Sequence, residues 1–199
     1  MNEKFFDLKK EKQDRMINAA LKVFAENGFR RASTDEMVKE AGISKGLLFH
    51  YFVSKTGLYG FIYDYSVKYV MMEMTSSVNN TETDYFNLCR QIQRARTEAM
   101  KNFPYMQMFL LRAEREDAQE AVEATRESAE TLLEAYDNIY NRVVFQEVEG
   151  VSWEKIVKIV EFTLNGLLSE MVQEAHFKPD AYYKEAIAYL QELEDLCMR

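Results

Sequence analysis

Proline and glycine are scarce in this chain of 199 residues, at two and seven positions, and that scarcity leaves little turn chemistry for a sheet protein. Cysteine is rarer still, with Cys89 and Cys197 far apart, so the close pairs of a secreted disulfide framework are missing. Both are read as small apolar side chains. Histidine occurs only at positions 50 and 176, with no carboxylate or cysteine at ligand spacing, so no metal and no cofactor are expected. No apolar run reaches the ~18 residues of a membrane span, and the N-terminus MNEKFFDLKKEK lacks a signal-peptide core. The expectation is a cytoplasmic protein without membrane contact.

What is present is helical. Apolar residues make up 47% and charged residues 29%, as in a globular protein, and they recur at three-four spacing. Helices are predicted over Lys9–Asn27, Thr34–Ala41, Ser44–Phe52, Ser54–Ser77, Tyr85–Asn102, Tyr105–Glu114, Ala118–Glu147, Trp153–Ala175 and Asp180–Cys197. Nothing alternates with strand period.

The densest chemistry lies in TDEMVKEAGISKGLLFHYFVSKTGL, residues 34 to 58. Two short helices flank Gly42, where a left-handed residue lets the chain reverse, and this is a helix-turn-helix pattern. Ser33 with Glu36 has capping-box spacing, and Ser44 is a good N-cap. Val38, Ala41, Ile43, Leu48 and Phe52 are placed to close a small core. The opposite face of the second helix carries Lys45, Gly46, Leu47, Phe49 and His50, a mixture suited to contact.

Charge is divided in keeping with that reading. Residues 1 to 60 hold eleven Lys and Arg against eight Asp and Glu, a net of +3, so the rest of the chain carries −11 of the total −8. A basic front end attracts phosphate while an acidic body is repelled from it.

The run from Gly42 to Lys55 resembles the recognition segment of the TetR family of one-component transcriptional regulators. The family pattern is a Gly turn, a small apolar residue, Ser-Lys-Gly, a variable residue, Leu, an aromatic, His, Tyr-Phe, and Ser-Lys two positions on. Here it is met by Gly42, Ile43, Ser44 to Gly46, Leu48, Phe49, His50, Tyr51, Phe52, Ser54 and Lys55. Phe49 stands where Tyr is commoner, Leu47 where a smaller residue is commoner, and Gly57 where an acidic residue is usual. Leu47 therefore suggests a thymine methyl as its neighbour. The resemblance covers the first 60 residues; beyond them only length and helical pattern agree.

The resulting expectation is an all-α protein and not an enzyme. Residues 1–60 form a three-helix DNA-binding head, linked by a fourth helix to a ligand-binding and dimerisation domain over 61–199. On the DNA, Lys45, Gly46, Leu47 and His50 enter the major groove with Ser44 and Phe49 beside them, while Thr34, Tyr51 and Lys55 hold phosphates. The resemblance implies a pocket for a small, largely apolar effector. Met71, Phe86, Met100, Phe109 and Tyr140 are its candidate lining, with Arg96, Tyr105, Arg112, Tyr136 and Asn165 as polar fixtures. Surplus apolar surface on the last two helices predicts a homodimer through Trp153, Val160, Leu164, Leu167, Leu168, Met171, Ile187, Leu190 and Leu193. The partners are then an operator duplex, an effector and a second copy. The competing readings, a helical-bundle enzyme or a protein-binding adaptor, lack respectively a converging catalytic set and a reason for the Ser44 to Lys55 pattern.

Overall fold

A computed structural model describes residues 3–147, 150, 152–174 and 176–197. All its regular elements are helical: a 3-10 turn at Glu3–Phe5, then α1 (Lys10–Arg31), α2 (Thr34–Ala41), α3 (Lys45–Phe52), α4 (Lys55–Ser77), α5 (Tyr85–Asn102), α6 (Met106–Ala113), α7 (Gln119–Tyr140), α8 (Trp153–Met171) and α9 (Pro179–Cys197). Among the described residues no helix is long and apolar enough to cross a membrane. Packing groups the described residues up to Tyr69 with Phe103–Leu132 as one compact unit, and Val70–Asn102 with the described residues from Leu133 onward as another. The divisions fall inside α4 and α7.

In the first unit α1 buries Met16, Ile17, Ala20, Leu21 and Phe24 along one face and packs on α2 and α6. Its regular course is interrupted at Gly28, which takes φ +69°, a conformation side chains avoid, so the helix expected to end at Asn27 resumes for one further turn. Phe29 is buried there, with its ring 5.2 Å from Tyr59, whose other faces meet Phe24 at 4.9 Å and Phe109 at 5.3 Å. α6 thus shares the aromatic core of the head. At the N-terminus Phe5 is fully buried, its ring 5.2 Å from Phe52 and 5.3 Å from Phe61.

The second unit is built on α5 packed against α9, with α8 on α9. Phe86, Leu88, Ile92 and Met100 of α5 are buried, as are Val160, Leu164 and Leu168 of α8 and Tyr182, Ala186 and Leu190 of α9. Polar ties cross the α5–α9 contact: Arg90 pairs with Glu194, and Tyr182 donates to Gln93 Oε1 at 2.7 Å. Two expected boundaries move. α7 stops at Tyr140 and not near Glu147, because Val144 N donates to the Thr83 carbonyl at 3.0 Å and Arg142 to that of Asn80 at 2.8 Å, partners a continued helix would forgo. α8 ends at Met171, and the expected end at Ala175 lies outside the described residues.

Candidate nucleic-acid interface and effector site

Gly42 takes φ +63°, ψ +43° and turns the chain from α2 into α3, as the sequence predicts. Ser44 has extended backbone and its Oγ accepts from Leu47 N at 3.2 Å, so α3 begins with its own cap. Ser33 also ends an extended stretch, but its side chain makes no capping bond, and the expected capping box does not form. Leu48 and Phe52 are buried; across the helix Ser44, Lys45, Gly46 and His50 are exposed, with Leu47, Phe49 and Thr34 half-buried. A side chain at Gly46 would meet nothing within 4 Å. Lys45 Nζ lies 2.9 Å from Asp35 Oδ1 in an exposed pair, the kind that contributes under ~1 kcal/mol and is readily exchanged for a phosphate.

Two residues expected on phosphate are engaged elsewhere. Tyr51 is buried, with its ring 5.7 Å from Phe5, so it is a core residue of the head. Lys55 folds back: its ammonium donates to the carbonyls of Phe29 at 2.9 Å, Arg30 at 3.3 Å and Ala32 at 3.4 Å, and lies 4.6 Å from the Phe29 ring centroid. It satisfies the carbonyl end of α1, where a cation is favoured. Between these residues the backbone is strained. Val53 takes φ +63°, ψ −46°, while Ser54 N donates to the Phe52 carbonyl at 2.6 Å, a tight three-residue turn in a conformation costly for a β-branched side chain. The turn also explains Gly57: a Cβ there would collide with the Phe52 carbonyl oxygen.

The residues expected around an effector divide between the units. Tyr105, Phe109 and Arg112 belong to the first, where Phe109 is core and the Arg112 guanidinium lies against Gly28. Beside it the Glu116 carboxylate accepts from Phe29 N at 2.8 Å, a tie between the end of α1 and the α6–α7 elbow. The second unit holds Met71, Phe86, Arg96, Met100, Tyr136, Tyr140 and Asn165. Arg96 Nη2 donates to the Tyr136 hydroxyl at 3.3 Å, and the guanidinium lies 5.8 Å from that ring's centroid. Tyr136 and Tyr140 stack at 6.3 Å. Phe86 and Met100 are fully buried, Met71 and Asn165 half-buried. Burial pushes the Cys89 thiol up to about 11 and the Tyr182 phenol up to about 12, so both stay neutral near pH 7. Gln93 and Tyr182, which sequence reading did not single out, complete this polar cluster.

The apolar face of α8 and α9 is also redistributed. Val160, Leu164, Leu168 and Leu190 are buried within the chain and are not available to a partner. Trp153 belongs to an aromatic cluster, 5.0 Å from Phe145 and 6.0 Å from Tyr85, while Leu167, Met171, Ile187 and Leu193 are half-buried. The large apolar side chains left open are Ile159, Phe162, Tyr189 and Leu196, with Phe162 68% exposed. Among the described residues no group of three or more His, Cys, Asp or Glu is placed to hold a metal.

Residues 16–60 match the profile of the family described as bacterial regulatory proteins, tetR family. Over 44 residues the chain is 48% identical to the HTH-type transcriptional regulator UidR of Escherichia coli K12, a stretch that is 22% of each protein. The match therefore spans about a fifth of that relative's length. Among solved structures, the TetR family transcriptional regulator PfmR from Thermus thermophilus superposes with a TM-score of 0.59 at 21% identity, covering 91% of this chain and 94% of that one. The fatty acid degradation regulator FadR from Bacillus halodurans gives 0.59 at 18% identity, with 89% and 96% covered. At these identities the two structures establish the fold.

Proposed function

We propose that the chain is a tetR-family DNA-binding transcriptional regulator acting as a homodimer, a reading supported by the match of residues 16–60 to that family's profile. One observation carries the reading: α3 is capped at Ser44, anchored by buried Leu48 and Phe52, and yet leaves Lys45, Gly46 and His50 open. A rigid helix with a bare glycine and a weakly held lysine on its outer face fits the major groove of a duplex. Residues 1–60 serve as the DNA-binding domain and 61–199 as the ligand-binding and dimerisation domain, and the protein works in the cytoplasm, where its DNA is.

The dimer forms through Ile159 and Phe162 of α8 with Tyr189 and Leu196 of α9, which supply an exposed apolar face that charged residues would otherwise occupy. Gly166 on α8, with open space where a Cβ would stand, permits close approach of a second copy. Twofold pairing of the heads gives a palindromic operator. A Phe162→Asp substitution is expected to convert the dimer to monomer in sedimentation at micromolar concentration and to abolish tight operator binding; a Phe162→Asp protein that stays dimeric refutes this face.

The regulator is read as a repressor released by a small ligand. α4 supports this reading, because it supplies Tyr59 and Ile62 to the first core and Val70 and Met74 to the second. A tenfold loss of operator affinity needs about 1.4 kcal/mol of coupling, and operator must then weaken ligand binding by the same factor. Selecting duplexes from a random pool and titrating the selected site over a range of salt tests the DNA reading; a site without twofold symmetry, or weak binding independent of salt, counts against it.

A further inference from the structure

In the second unit the half-buried Arg96 forms no ion pair among the described residues. Arg96 Nε is buried and has no hydrogen-bond partner among the described residues, and the guanidinium's one polar contact is the long bond to the Tyr136 hydroxyl. Besides the burial that opposes it, the largest influences on its charge are the phenols of Tyr136, Tyr182 and Tyr140. Arg90, on the same helix, shows the ordinary alternative, paired with Glu194 and bonded to Gln191 and Asn87. Of the five donors a guanidinium carries, it is Nε of the half-buried Arg96 that is closed off from solvent without a partner among the described residues, so the position is suited to an anion that arrives from outside.

We propose that Arg96 is the anchor for the carboxylate of a singly charged, amphiphilic effector. The site rests on the reading of the protein as a ligand-responsive regulator and gives that ligand a chemical class. A carboxylate matches the guanidinium fork with two parallel bonds, and the Tyr136 hydroxyl can rotate to donate a third. One charge is the right number, because Arg90 is already neutralised by Glu194 and offers nothing to a dianion. The surroundings suit an apolar body. Met100 is one turn along α5 from Arg96, Cys89 two turns back, and both are buried, while the Tyr136 ring, itself stacked on Tyr140, lies 5.8 Å from the guanidinium. Tyr182 is not a ligand group here, since its hydroxyl is donated to Gln93.

The experiment uses the full chain with octanoate as probe and octanol as the uncharged compound of the same body. Trp153, the sole tryptophan, has its ring 6.2 Å from Phe86 and serves as the fluorescent reporter beside the thermal midpoint. Octanoate is expected to shift both signals saturably and octanol neither. Arg96→Met should raise the midpoint of the free protein while weakening octanoate at least tenfold; Arg96→Lys, which keeps the charge and loses the fork, and Tyr136→Phe should each weaken it less. Should Arg96→Met fail to fold, the lysine and phenylalanine variants carry the decision. Silence towards octanoate, an equal response to octanol, or an octanoate response undiminished in the Arg96 variants overturns the assignment. DNA binding is measured separately: octanoate binding through Arg96 in a protein indifferent to duplex DNA would sink the regulator reading and leave this site standing.

Discussion

Lys55 and Arg96 are long basic side chains turned back into the protein, one in each compact unit. The Lys55 ammonium sits among three carbonyls at the end of α1 and over the Phe29 ring, so its charge completes a structure already fixed by the backbone. Arg96 is half-buried, with one phenol at 3.3 Å and a buried Nε that has no partner among the described residues. A cation that is fully partnered rigidifies its surroundings, whereas one that is not leaves interaction free energy to be gained on binding. The first unit is accordingly a support that holds α3 in one geometry. The second keeps a buried donor on Arg96 without a partner among the described residues, which is where the proposed ligand would act.

Removing the cation from each unit should therefore have opposite signs. Lys55→Met is expected to cost about 2–3 kcal/mol of stability, since a charge-assisted bond is lost and the carbonyls at the end of α1 lose their donor. Chemical denaturation checks the size. The same variant should leave the salt slope of DNA binding unchanged, because this ammonium is committed to the protein; a lower slope would restore it to a phosphate. Arg96→Met should raise stability by up to about 1 kcal/mol in the same denaturation experiment, as expected when a half-buried cation with one buried, unpartnered donor gives way to an apolar side chain. A loss of similar size would make Arg96 an ordinary structural residue and erase the contrast. A comparable effect is expected at the α3–α4 turn. Val53 is 78% exposed at positive φ, so Val53→Gly should stabilise the head by about 1 kcal/mol, read as a rise in denaturation midpoint.

Local chemistry made the head readable in advance. The Gly42 reversal, the Ser44 cap and the bounds of α2 and α5 follow from residues within one or two turns of each other, and all are found where the pattern puts them. What escaped depends on partners distant in the chain. Lys55 looks like a phosphate anchor until Phe29, Arg30 and Ala32 are known to lie beside it. Tyr51 looks exposed until Phe5, a residue of a charged N-terminal stretch, is found against its ring. On α8 and α9 an apolar stripe wider than one contact was legible, but periodicity alone does not say which part of it the chain covers itself. Val160, Leu164, Leu168 and Leu190 are so covered, and Ile159, Phe162, Tyr189 and Leu196 are left. Arg96 was named in advance as a polar fixture on the strength of the family resemblance; that its Nε is buried without a partner among the described residues is a property of the folded unit.

The claim on which the rest depends is that the open face of α3 binds duplex DNA, and the salt dependence of that binding tests it most directly. Operator affinity, measured by anisotropy between about 50 and 200 mM salt, should fall linearly on logarithmic axes with a slope of several units, as released counterions require. Lys45→Ala should reduce that slope by about one for each head that engages the duplex and alter sequence preference as well. A flat salt response, or a Lys45→Ala protein with unchanged slope and unchanged preference, would contradict the account.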